Sequence, residues 1–239
     1  MFFPFYNPTY LLFALPALLF GLWAQWRVQA ALKKYSQVFT GRGATGAAVA
    51  QAILNAYGLP NVRIERAQGF LGDHYDPLSR TLRLSPDVYD TPSVAAVGIA
   101  AHEAGHALQH AEGYWPLQAR SAIVPVVQFG SWLGPLVFMG GMLLAYAGSS
   151  LGFNVAVLGV LMFAAIAVFS LITLPVEFDA SRRAKEVLTT AGFVNAEEGS
   201  GVAQVLDAAA LTYVAALVQA VSTLLYYVFL LSGLRRNND

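Results

Sequence analysis

Hydrophobic positions in this 239-residue chain gather into four long stretches, at residues 10–26, 122–146, 151–174 and 208–231. A hydrocarbon core of about 30 Å is crossed by about 20 helical residues, so each stretch predicts a transmembrane helix. Trp23 and Trp26 suit the interface at the end of the first, and Arg235 and Arg236 close the last. The short Ala147-Gly148-Ser149-Ser150 link makes a hairpin of the second and third. No basic residues precede the first stretch, as they would in a cleaved signal peptide, so it reads as a retained anchor. Residues 92–101 are also apolar, but they are few and run straight into His, Glu and His. They predict a packed or interfacial helix rather than a fifth span.

Between the spans the period changes. Residues 44–57 have helical spacing and stop at Gly58-Leu59-Pro60, a capping glycine followed by a breaker. Residues 62–65 and 81–85 alternate like short strands, and residues 72–77 between them read as turn-rich. Thr91 is placed to cap, and Pro92 to open, the helix that follows. A charged helix is expected from 177 to about 188, with Pro175 breaking the span before it, and then a Gly/Glu-rich link at 197–201. The organisation is an anchor (1–26), an extramembrane domain (27–121), a transmembrane hairpin (122–174), a loop carrying a further helix (175–207), and a last span with its tail (208–239). The fold class is mainly α: a polytopic membrane protein with about four transmembrane helices and a small α+β domain at the membrane face.

Composition strengthens this picture. Apolar residues make up 56% and charged residues 12%, about half the charge of an ordinary soluble domain. Fourteen basic residues balance fourteen acidic ones, so no basic field recruits nucleic acid. There are no cysteines, which excludes disulfides, thiol nucleophiles and thiolate metal sites. Twelve of the fourteen basic residues lie in 27–120 and 176–207, which four crossings place on one side. That side is expected to be the cytoplasm of a bacterial cell, with both termini outside.

The helix after Pro92 carries His102-Glu103-Ala104-Gly105-His106. Two histidines four residues apart leave one helical face about 6 Å apart along the axis, a spacing that grips a single Zn²⁺. Glu103 lies beside such a metal rather than on it, placed to take a proton from its water and pass it to a leaving amine. Catalytic zinc usually takes a third protein ligand and keeps one position open. His110 stands about 12 Å along the helix from His102, too far to share one ion. Glu177, in Leu174-Pro175-Val176-Glu177-Phe178-Asp179-Ala180-Ser181, is the better donor, because the hairpin returns the chain there to the side that holds the histidines. Asp179 competes for the same role.

These strings resemble the YugP-type neutral zinc metallopeptidases of bacterial membranes. The matching segments are Asp73-His74-Tyr75-Asp76-Pro77, Leu84-Ser85-Pro86-Asp87-Val88-Tyr89, residues 100–109 around the two histidines, residues 174–181, and residues 205–216. The resemblance implies a membrane metalloendopeptidase with one zinc per chain. The Glu-Phe-x-Ala stretch also resembles gluzincin-type membrane peptidases, in which an Asp following the Ala orients a zinc-bound His. Ser181 stands at that position here, and Asp179 or another carboxylate is the candidate to do that work. Asp207 could order a ligating His and Tyr213 could steady an oxyanion, or they could simply cap a helix and sit at the interface. His74 could flank a substrate groove or be a turn residue, and the strand at 81–85 could pair with an extended peptide.

Two classes of function remain after this reading. The first is a membrane zinc endopeptidase acting on membrane-associated polypeptides, with Glu103 catalytic and zinc on His102, His106 and Glu177. The second is a non-proteolytic scaffold with structural zinc. The lipid bilayer is a partner in either case; a regulatory membrane partner or a homo-oligomer is left open.

Overall fold

The computed structural model describes residues 8–67 and 72–236. In chain order the elements are α1 (Pro8–Tyr35), α2 (Gly46–Ala56), β1 (Arg63–Arg66), β2 (His74–Asp76), β3 (Thr81–Leu84), α3 (Pro86–Tyr89), α4 (Val94–Ala111), α5 (Trp115–Tyr146), α6 (Gly152–Thr190) and α7 (Ala196–Arg236). The protein is mainly helical, with one small sheet of three strands. Helices α1, α5, α6 and α7 are the four among the described residues that are long and apolar enough to cross a membrane. Each runs beyond the apolar stretch that predicts it. Contacts divide the chain into two units, one made of the chain up to Trp23, Ala119–Thr173 and Tyr213 onward, the other of Ala24–Gln118 with Leu174–Thr212.

The first unit is built on close helix approach. A Cβ at Gly141 would lie 2.2 Å from the backbone nitrogen of Ala156, and one at Gly159 would lie 2.4 Å from that of Phe138. Small residues therefore let α5 and α6 pack backbone to backbone, as helices in lipid do. Phe138, Met142, Ala156, Val160 and Leu234 form its core. Met139, Phe129, Trp132 and Leu161 are exposed, the arrangement expected of lipid-facing side chains.

The second unit holds the chemistry. Thr45 caps α2, accepting from the Ala48 N–H at 3.3 Å, and Gly58 at φ 71° turns the chain after it, as the sequence predicts. The apolar face of α2 packs on α4 in a core that includes Val49, Ile53, Leu54, Leu82, Leu84, Val97 and Leu108. The sheet order is β1-β3-β2, with β1 parallel and β2 antiparallel to β3.

Several local expectations are corrected. The turn-rich segment at 72–77 contains strand β2, because Asp76 anchors the turn itself by accepting from the Leu78 N–H and the Ser79 hydroxyl, leaving His74–Asp76 extended. Strand β3 is central, with both edges already paired, so it offers no edge to a peptide. Helix α4 starts two residues later than Pro92, at Val94: the Pro92 and Thr91 carbonyls accept from the Thr40 and Gly46 N–H groups, and Ser93 caps by accepting from the Ala96 N–H. Pro175 does not break α6, which continues to Thr190; a proline costs a helix one donor and some crowding, which a helix of this length survives. The stretch 197–201 is not a link but the first turn of α7. Asn195 and Glu198 exchange hydrogen bonds across it at 2.8 and 2.9 Å, a reciprocal cap. Gly201 sits there for space, since a Cβ would meet the Tyr35 ring at 2.6 Å.

Candidate metal centre

The site grows from the crossing of α4 and α6. Helix α4 is so rich in alanine and glycine that almost its whole length is buried. A Cβ at Gly105 would lie 2.8 Å from the Ala180 carbonyl oxygen. Only a glycine lets α6 come this close, and the contact brings residues 177 and 181, on consecutive turns of α6, against the two histidines of α4.

There the side chains converge. His102 Nε2 lies 3.2 Å and His106 Nε2 3.6 Å from the same Glu177 oxygen, Oε2. The three ligand atoms all lie within 4.8 Å of one another, and they form the one metal-capable group of three found among the described residues. Ligand atoms about 2.0–2.1 Å from a tetrahedral ion stand about 3.3 Å apart, so two nitrogens and one carboxylate oxygen at these spacings fit zinc with a position left open. The imidazole planes stand at 84° to one another, so the two nitrogens approach from different directions. Glu177 is 2% exposed, and a carboxylate so buried needs a cation or protonated partners.

Each histidine is held from behind. His102 Nδ1 is 3.1 Å from the Ser181 hydroxyl, and His106 Nδ1 is 3.0 Å from Gln109 Oε1. Burial opposes charge on His106, yet Glu177 and Glu103 outweigh it, so without a metal the ring binds its proton more tightly than a free histidine. Glu103 is buried and accepts no hydrogen bond from the described residues, whereas Glu177 is tied to both rings. A carboxylate beside the metal group with no protein donor is available to a water.

Asp179 turns both oxygens to cations: Arg182 on Oδ1, and Arg183 Nε at 2.6 Å on Oδ2, which also accepts from Gln109 Nε2 at 2.9 Å. His110 points toward β2, its Nδ1 2.8 Å from the Tyr75 hydroxyl. It lines a cavity of about 300 Å³ together with Tyr75, Arg80 and Ala107. His74 Nδ1 faces the Gly72 carbonyl at 2.8 Å. Asp207 does not open a helix; it lies within α7 and pairs with Lys185 at 2.8 Å. Tyr213 lies on the part of α7 that belongs to the other unit. Gln109 was not among the residues singled out from the sequence. Its signal is its spacing, three residues after His106 on the same helix.

His102 and His106 of α4 with Glu177 of α6, in a chain with four membrane-length helices among its described residues, fit a membrane protein of the zinc-peptidase class. The chain belongs to the family described as "Putative neutral zinc metallopeptidase", whose model matches residues 10–232. It is 45% identical over 229 residues to "Putative membrane protease YugP" of Bacillus subtilis (strain 168), covering 96% of this chain and 99% of that protein. No solved structure matches the chain.

Proposed function

We propose that this protein is an integral membrane zinc metalloendopeptidase that hydrolyses peptide bonds in membrane or juxtamembrane polypeptides. The observation that carries the reading is the convergence of His102 Nε2, His106 Nε2 and Glu177 Oε2, with the Glu103 carboxylate, which accepts no hydrogen bond from the described residues, one residue from the first ligand. The family description and the relative's name, a membrane protease, support the same chemistry.

Zinc, when bound, would polarise the scissile carbonyl and make water a nucleophile at neutral pH. The chain supplies the rest. His102, His106 and Glu177 would hold the ion. Glu103 takes the proton from the attacking water and delivers it to the departing amine nitrogen. The peptidase part comprises residues 27–121 and 175–207, and the basic residues concentrated there favour the cytoplasmic side of a bacterial plasma membrane. A site so placed meets membrane-associated chains before soluble ones, which is the ground for the substrate class.

Detergent-purified protein is expected to carry about one zinc per chain by elemental analysis and to cleave an unfolded test protein such as casein. Glu103→Gln should keep the zinc and lose cleavage by at least 100-fold, as removal of a general base does (roughly 10²–10⁴). Full cleavage by Glu103→Gln would overturn the assignment. A scaffold with structural zinc would instead unfold when the metal is stripped.

A further inference from the structure

The hydrogen bonds around Gln109 can be read without ambiguity. An amide side chain has a donor end and an acceptor end that are easily exchanged in a structure, so its orientation must be argued from its partners. Gln109 is fully buried. One end lies 2.8 Å from the Val176 carbonyl oxygen and 2.9 Å from Asp179 Oδ2. A carbonyl only accepts, and so does a carboxylate held by Arg182 and Arg183. That end must therefore be the NH₂. The other end, the oxygen, faces His106 Nδ1 at 3.0 Å. An oxygen that only accepts requires that Nδ1 carry a hydrogen. Nε2 is then the nitrogen left with a lone pair for a metal, and Nε2 is the atom that faces Glu177.

We propose that Gln109 is a positioning residue that fixes the tautomer and ring direction of His106, and that Asp179 acts on the metal centre through it rather than as a ligand. The inference rests on the metal-centre reading above. The brace extends further: Arg183, which holds Asp179, also donates to Glu112 Oε1 at 2.7 Å, so the residue that caps α4 just beyond Gln109 is tied to α6 as well. His102 has no such brace. Its partner is the Ser181 hydroxyl, which can donate or accept and so does not dictate a tautomer. On the Nδ1 side the two histidines are thus held by neutral groups of unequal strictness, and neither Nδ1 rests on a carboxylate.

The test compares Gln109→Met with Gln109→Glu in the full-length protein in detergent, reading zinc affinity by chelator competition and thermal unfolding of the metal-free form. Met fills the space but cannot accept from Nδ1. Glu keeps an acceptor there but loses both donors and faces Asp179. Gln109→Met is expected to bind zinc about 10- to 100-fold more weakly, the usual cost of losing an outer-shell partner. Gln109→Glu is expected to bind zinc more tightly than Gln109→Met while unfolding at a lower temperature than wild type. A purely structural role would make zinc affinity follow the unfolding temperature in both variants, and that result would overturn the proposal. So would wild-type affinity in Gln109→Met. Wild type that binds no zinc would overturn the metal-centre reading itself, a separate failure seen before any variant is made.

Discussion

Gly105 is where a single hydrogen atom decides whether the two ligand-bearing helices can meet. Its missing Cβ would stand 2.8 Å from the Ala180 carbonyl oxygen, closer than real Cβ contacts come, and that neighbour is backbone that cannot swing aside. Gly105→Ala is therefore expected to push α6 off α4, costing about 1–3 kcal/mol as overpacking does and separating Glu177 from the histidines. Zinc content and unfolding temperature should fall together; an alanine variant with full zinc would show that the crossing has slack. The residues of the motif are legible in the sequence because helical geometry alone puts positions 102 and 106 on one face. Glu177 is legible for a different reason: a carboxylate at the end of a long apolar stretch calls for a partner. Gln109 is harder to see, because a glutamine on a helix is usually a solvated residue, and only packing shows that it is enclosed. The same holds for Ser181, which looks like a lost aspartate until its hydroxyl is found on His102 Nδ1.

At the scale of elements, the sheet beside α4 depends on one acidic turn. Asp76 accepts from the Ser79 hydroxyl at 2.6 Å, from Arg83 at 3.2 Å and from the Leu78 N–H at 3.0 Å. Ser79 and Arg83 together with the turn's N–H groups hold its carboxyl down at about 2, below the ordinary 3.8. A depressed carboxylate stabilises the fold above its unfolded pKa and loses that contribution as pH falls through its folded value. The β2–β3 pairing should thus hold at pH 5 and above and weaken between about pH 4 and 2. Amide hydrogen exchange at Tyr75 and Leu82 would read it, and Asp76→Asn should abolish the pH dependence in that window. The strands were legible where residues alternate, at β1 and β3, whereas β2 is hidden among turn formers because its own last residue builds the turn. The start of α7 fails in the opposite sense. Gly199 and Gly201 suggest a link, but the Asn195–Glu198 cap outweighs them and Gly201 is required by the Tyr35 ring. Asn195→Ala should cost about 1 kcal/mol, measurable as a lower unfolding temperature with zinc binding unchanged.

For the whole molecule, the distribution of basic residues bears on which side of the membrane receives the site. Twelve of the fourteen basic residues lie in segments that the hairpin would return to one side, against two at the C-terminus, which favours the cytoplasm for that side. The absence of any cysteine makes the test clean, since a single introduced thiol is the only one in the protein. Asn61 is exposed beside the α2–β1 turn, and Ser149 lies in the four-residue link of the hairpin, so neither touches the histidines or Glu177. In intact cells a thiol reagent that cannot cross the inner membrane should label Ser149→Cys and leave Asn61→Cys untouched until the cells are opened. The reverse pattern would turn the site outward, and its substrates would then be sought among exported chains. Equal labelling of both positions in intact cells would contradict the pairing of spans itself, because an odd number of crossings must separate residue 61 from residue 149. The first pattern is expected, since basic residues near the ends of spans are held back from translocation while the link at 147–150 carries none.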